Sequence, residues 1–165
     1  TQRKYMMKKI YHFSPEERFL EIIQDGQIIT EREVMNKNLK FFNHYVMDIN
    51  EKRNLLSYYE TLKSSYKLLG SYVWFTEQPK GVATATGNDM RFEFDANEIG
   101  AIHWSEVMKN LTKRKQKRHL KSLMDIAIAK GDNPQDWWVT RQSVSLEKCV
   151  DYQKMGNIKK WGLSA

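Results

Sequence analysis

The stretch KKIYHFSPEERFLEIIQDG, Lys8 to Gly26, changes its period in the middle. Lys9 to Phe13 is short, aromatic and apolar, the pattern of a buried strand. After it the spacing turns helical. Ser14, Pro15 and Glu17 predict an N-cap, a proline at the first helical position and a capping box. Phe19, Leu20, Ile22 and Ile23 supply an apolar helical face, and Gly26 stands where a left-handed C-cap residue is expected. Neither cap nor glycine needs a histidine, yet His12 stands where the strand ends.

Downstream, QIIT (Gln27 to Thr30) reads as a short strand and the polar segment Glu31 to Asn43 as a loop or short helix. From about Asp48 to Leu69, Leu55, Tyr58, Tyr59, Leu62, Tyr66 and Leu69 recur at helical steps, and Gly70 ends the run. SYVWFTE (Ser71 to Glu77) is β-rich, while Pro79, Gly81 and Gly87 mark Gln78 to Asp89 as a loop. In MRFEFDA (Met90 to Ala96), Arg91, Glu93 and Asp95 alternate with Phe92 and Phe94, as in a half-buried strand. Ile102 to Lys130 reads as one helix, bounded by Gly131 and Pro134. Its segment NLTKRKQKRHLK carries six Lys or Arg in twelve residues, spread around most of the circumference, so it should bury little. DWWVT (Asp136 to Thr140) and a segment around Leu146 to Tyr152 read as two closing strands. Separated strands without regular βα alternation predict an α+β domain spanning 1–165, with a helical insertion at about 48–69 and a basic helix at about 104–130.

Composition narrows the function classes. Lys plus Arg number 27 against 20 Asp plus Glu, and the net charge of +7 favours polyanionic partners, a nucleic acid or an acidic protein. Cys149 is the only cysteine, which excludes an intrachain disulfide framework and a Cys-rich zinc site and fits a reducing cytoplasm. No apolar run approaches the roughly 20 residues that cross a bilayer, and TQRKYMMKK lacks the apolar core of a signal peptide, so the expectation is a cytoplasmic chain without a membrane partner. GxGxxG and GxxxxGK[ST] are both absent, and His12, His44, His103 and His119 show no HExxH-type spacing, so no resident metal is expected.

His12 reads either as a hydrogen-bonded structural residue or as a ligand contact. The clusters Tyr72-Val73-Trp74-Phe75 and Trp137-Trp138 read mostly as core, but alternation would let one ring of each line a cleft and stack on a planar ligand. Asp136 either caps a turn or faces that cleft, and Cys149 reads as a buried thiol in a strand.

The order of YHFS with its helix and glycine, then VWFTE, then QDWWVTRQSVSLEKC, resembles the ADP-ribosyltransferase fold in its DarT-type, nucleic-acid-modifying branch. The resemblance implies a split antiparallel sheet core with helical insertions and NAD as substrate. It implies His12 as the NAD-binding histidine, with Tyr11, Phe13 and Ser14 beside it, Tyr72, Trp74, Phe75 and Thr76 in the second motif, and Asp136 as the late acid. That branch usually carries glutamate at the last position; Gln135, Gln142 and Glu147 are the alternatives in other registers, and Arg18, Arg32 and Arg91 are candidates for its assisting arginine. The implied reaction transfers ADP-ribose from NAD to nucleic acid or protein. Lys113, Arg114, Lys117, Arg118 and Lys121 would then meet phosphates. A binding or inhibitor protein without catalysis and an NAD-using RNA 2′-phosphotransferase are the competing readings, and a toxin, a phage counter-defence factor and a housekeeping modifier fit equally.

Overall fold

The computed structural model describes residues 7–44, 49–82 and 87–155. Strand β1 (Lys9–Ser14) runs into helix α1 (Glu16–Asp25), and Gly26 closes the helix at φ 67 with its N–H on the Ile22 carbonyl. A side chain at that left-handed φ would be strained, which is why glycine stands there. There follow β2 (Gln27–Ile28), α2 (Glu31–His44) and α3 (Ile49–Leu69), then β3 (Val73–Thr76), β4 (Met90–Asp95) and β5 (Ile102–His103). The chain continues through α4 (Trp104–Met108), α5 (Arg114–Ala129), β6 (Trp137–Thr140), β7 (Val144–Ser145) and β8 (Asp151–Lys154). Single 3₁₀ turns at Pro134–Asp136 and Leu146–Lys148 lead toward β6 and β8.

Six strands make one sheet in the order β5-β6-β3-β1-β4-β8, every neighbouring pair antiparallel, and β2 pairs separately with β7. The α+β expectation therefore holds. The sheet is not evenly knit. The β1–β4 ladder runs from Lys9↔Asp95 to Ser14↔Met90, and the β3–β6 ladder from Val73↔Thr140 to Thr76↔Trp137. Between these two ladders, β1 and β3 pair only at Tyr11↔Thr76, so the centre of the sheet parts toward Ser14 and Val73.

Alternation sends Ile10, Val73, Phe75, Phe92 and Phe94 to one face, where Ile22 of α1, Ile28 and Val144 complete the core. Trp137 and Val139 join Leu69, Tyr72, Trp104, Val107 and Ala127 in a second cluster. Removing side chains such as Phe92 or Val139 from water contributes about 1.5–3 kcal/mol each. Helices α2 and α3 share a third cluster of Met35, Tyr59 and Tyr66.

Several sequence expectations change here. Ser14 is not a helix cap: it pairs with Met90 in the β1–β4 ladder, its side chain is buried, and Pro15 takes the N-cap position without a side-chain bond. The first free N–H of α1, that of Glu16, is satisfied instead by Asp89 Oδ2 at 3.1 Å. Of the two readings for this segment, loop or short helix, the structure has the helix, and a longer one, Glu31–His44, seated through Met35 against α3. QIIT pairs only at Gln27 and Ile28. The helix expected over 102–130 is divided: His103 caps α4 by accepting the Ser105 N–H, Leu111 is buried between the two pieces, and Gln116 Oε1 takes the Lys113 N–H at the head of α5. Its basic stretch does bury one side, with Gln116 donating to the Leu68 carbonyl at 3.0 Å and Leu120 packed on the second cluster. Cys149 lies between the second 3₁₀ turn and β8 rather than in a strand.

Among the described residues, no helix is long and apolar enough to cross a membrane.

Candidate functional site

Where β1 and β3 part, backbone groups that would have paired across the strands need other partners. His12 supplies one: its Nδ1 lies 2.8 Å from the Trp74 carbonyl oxygen. A carbonyl only accepts, so Nδ1 carries the proton and Nε2 is the ring's acceptor. Burial, opposed by the bond to Trp74 and assisted by the Arg18 charge, lowers the imidazole pKa to about 4. His12 is therefore neutral at neutral pH. The ring is set edge-on to Phe75 at 5.8 Å and tilted against Phe92 at 6.4 Å, which fixes its direction.

The parting opens a cavity of about 340 Å³. This is within the range of small-molecule sites. Tyr11 to Ser14 of β1 and Tyr72 to Thr76 on the β3 side line it, with Trp137 of β6. Ser14 is 3% exposed, and its Oγ has no hydrogen-bond partner among the described residues. A buried hydroxyl without a partner costs about 1–3 kcal/mol, so its place on a cavity wall marks a position for a polar ligand atom. Thr76 differs, since its Oγ1 already accepts the Gln78 N–H at 3.1 Å.

Trp74 organises the opposite wall. Its ring contacts those of Trp104 at 4.6 Å and of Tyr72 and Trp137 at 5.7 Å, and its Nε1–H donates to Glu31 Oε1 at 3.0 Å. The same Glu31 oxygen accepts the Tyr72 N–H at 3.4 Å, and Glu31 lines the cavity. Burial raises the Glu31 carboxyl above the usual carboxylate range, against the lowering effect of those two bonds. Tyr72 is also raised, chiefly by burial, and its hydroxyl donates to the Leu69 carbonyl at 2.5 Å. Gly70 is required beside it, because at φ 108 a Cβ would run into the Tyr72 hydroxyl.

Asp136 closes the 3₁₀ turn before β6. Its Oδ2 accepts from Gln78 Nε2 at 2.8 Å and its carbonyl from the Glu77 N–H, and it does not line the cavity. Gln135, Gln142 and Glu147, the alternatives in other registers, are exposed and also outside the lining. Of the three candidate arginines, Arg18 lines the cavity. Arg32 lies over the Tyr66 ring, and Arg91 lies over Tyr11 while donating to the Pro79 carbonyl and to Gln153.

Lys113, Arg114, Lys117, Arg118 and Lys121 are exposed, with Lys121 paired to Asp125 at 2.7 Å. From the other side of α5, Leu123 reaches the cavity wall. No group of three or more potential metal ligands occurs among the described residues. His103 serves as the α4 cap, His119 is half-buried on α5, and the side chain of His44 lies outside the described residues. Cys149 donates to the Asp151 carbonyl, and burial raises its thiol pKa.

Sequence reading missed Glu31. The residue follows a short strand at the head of a helix, where an acidic residue is an ordinary dipole partner, and only the fold brings the Trp74 indole to it. No protein family, curated protein or solved structure matches the chain.

Proposed function

We propose that this chain transfers ADP-ribose from NAD to a macromolecular acceptor, as an enzyme of the ADP-ribosyltransferase type. Of the three stretches that carry the resemblance, YHFS and VWFTE lie on the neighbouring strands β1 and β3, and QDWWVTRQSVSLEKC begins at β6 beside β3 and runs on through β7 of the second sheet. The observation that carries the proposal is the neutral His12 at the parted strand end, its Nε2 left as the ring's acceptor, lining one cavity together with Ser14, whose buried hydroxyl has no partner among the described residues.

Cleaving the bond between nicotinamide and ribose passes through an oxocarbenium-like state, and nicotinamide leaves neutral with little need of an acid. What the protein must do is hold the ribose, fix the flat ring and stabilise developing positive charge. His12 Nε2 would accept from a ribose hydroxyl, and the Phe13 backbone and Ser14 Oγ would meet the carboxamide or ribose. Tyr72, Trp74 or Phe75 offers the ring an aromatic face. Asp136, carried over as the late acid, precedes β6, accepts from Gln78 and lies outside the lining. The exposed basic side of α5, on a helix whose other side reaches the cavity, favours nucleic acid as acceptor.

Incubation with labelled NAD and DNA, RNA or protein, beside His12→Ala and Asp136→Ala, tests this reading. The expected result is transfer that His12→Ala abolishes. Transfer that survives both substitutions would overturn the site. Salt-sensitive nucleic-acid binding without NAD binding would favour the second reading, a noncatalytic nucleic-acid-binding protein, which the exposed basic helix also suits.

A further inference from the structure

Three carboxylates line the cavity: Glu21, Asp25 and Glu31. Glu21 is exposed on α1, and Asp25 is tied to Lys37 of α2 at 2.7 Å. Glu31 is held differently. Its Oε1 takes the Trp74 indole N–H and the Tyr72 backbone N–H, and its own backbone N–H donates to the Tyr72 carbonyl. A second tie, from the Arg32 N–H to Ser71 Oγ at 2.9 Å, locks the head of α2 to the start of β3. One carboxylate oxygen is thus spent on orientation, and Oε2 is the oxygen left to meet a reactant. Trp74 serves both sides of the site, giving its carbonyl to His12 and its indole N–H to Glu31.

We propose that Glu31 is the base that takes the proton of the acceptor during transfer, an inference that rests on the NAD reading above. A lone pair on an acceptor oxygen or nitrogen forms the new bond to the ribose C1′. The bond from C1′ to the nicotinamide nitrogen breaks, and its electron pair passes into the nicotinamide ring, which leaves neutral. The proton released by the acceptor passes to the Glu31 carboxylate and then to solvent. Charge balances without a metal or a redox partner. Burial, which makes this carboxyl more basic than an exposed one, suits it to the step. The other charged groups on the cavity are Arg18, Glu21 and Asp25 of α1 and Lys37 of α2, and the Asp25–Lys37 pair neutralises itself.

The test compares wild type with Glu31→Gln and Glu31→Asp. Glutamine keeps an oxygen for the Trp74 and Tyr72 donors, so the fold and the NAD pocket should persist. The readouts are the NAD dissociation constant by calorimetry and single-turnover transfer to whichever acceptor wild type labels. Glu31→Gln is expected to bind NAD within about threefold of wild type and to transfer about 100-fold or more slowly, with Glu31→Asp in between. Transfer by Glu31→Gln within about threefold of wild type overturns the role, as does a loss of transfer that merely follows a loss of NAD binding. A wild type that neither binds NAD nor transfers would overturn the NAD reading itself and this inference with it. Binding and transfer that are intact in wild type and unaffected in Glu31→Gln would remove only Glu31.

Discussion

His12 donates its Nδ1–H to the Trp74 carbonyl at 2.8 Å, at the point where β1 and β3 cease to pair. The side chain therefore does the work of a missing ladder bond, and the tautomer this bond fixes leaves Nε2 as the acceptor of a residue that lines the cavity. His12→Phe keeps an aromatic ring between Phe75 and Phe92 but leaves the Trp74 carbonyl unpaired. The expected loss is about 1–3 kcal/mol of stability in urea unfolding, together with at least a tenfold loss of NAD affinity in calorimetry. Full affinity in this variant would separate the histidine from the ligand.

The same geometry predicts a pH response. With a folded pKa of about 4 against an ordinary value of 6.5, His12 binds fewer protons folded than unfolded between those values. Its contribution to stability is complete above pH 6.5 and is lost as the pH falls toward 4, at up to about 1.4 kcal/mol per unit. Unfolding free energies across that window should slope downward with acid in wild type and flatten in His12→Phe.

Glu31 carries the opposite sign. Its folded pKa is raised, so its contribution is present below the ordinary carboxylate value and is lost as pH rises through the folded value. Glu31→Gln should therefore gain stability relative to wild type as the pH is raised from acid to neutral. Chemical denaturation of the two proteins side by side measures that difference, and a pH-independent difference would contradict the buried carboxyl.

The first helix separates two residues that sequence alone confuses. Ser14 looks like its cap, whereas Asp89 is the cap, reached across 73 positions of chain. Asp89→Ala should cost about 1 kcal/mol. Ser14→Ala should leave stability unchanged or slightly improved, because it removes a buried hydroxyl without a partner, yet it should weaken NAD binding. Equal losses of stability in both variants would restore the serine cap.

What the sequence made legible is what local pattern decides. The β1–α1 passage, Gly26 and the strands around Trp74, Phe92 and Trp138 follow from apolar period and from glycine's freedom at positive φ. The break between α4 and α5 did not, because Lys, Arg and Gln are good helix formers and only burial of Leu111 and the cap at Lys113 interrupt the run. For the cavity, the residues Tyr11 to Ser14 and Tyr72 to Thr76 were readable as two motifs. Glu31 was not, since its burial and its partner Trp74 depend on how α2 docks beside β3. Asp136 was readable as an acid heading a strand, but its distance from the lining is a property of the 3₁₀ turn that precedes β6.

The basic side of α5 gives the last prediction. Arg114, Lys117 and Arg118 are exposed, while Leu120 and Leu123 anchor the other side of the helix, so replacing all three by alanine should leave the fold intact. Each phosphate contact removed should lower the slope of log binding constant against log salt by about 0.7 for a single strand or 0.9 for a duplex. The triple variant should thus lose about two units of slope on a single strand, or nearly three on a duplex, while binding NAD like wild type. An unchanged slope would mean that nucleic acid does not approach along α5, and would turn the search for the acceptor toward protein.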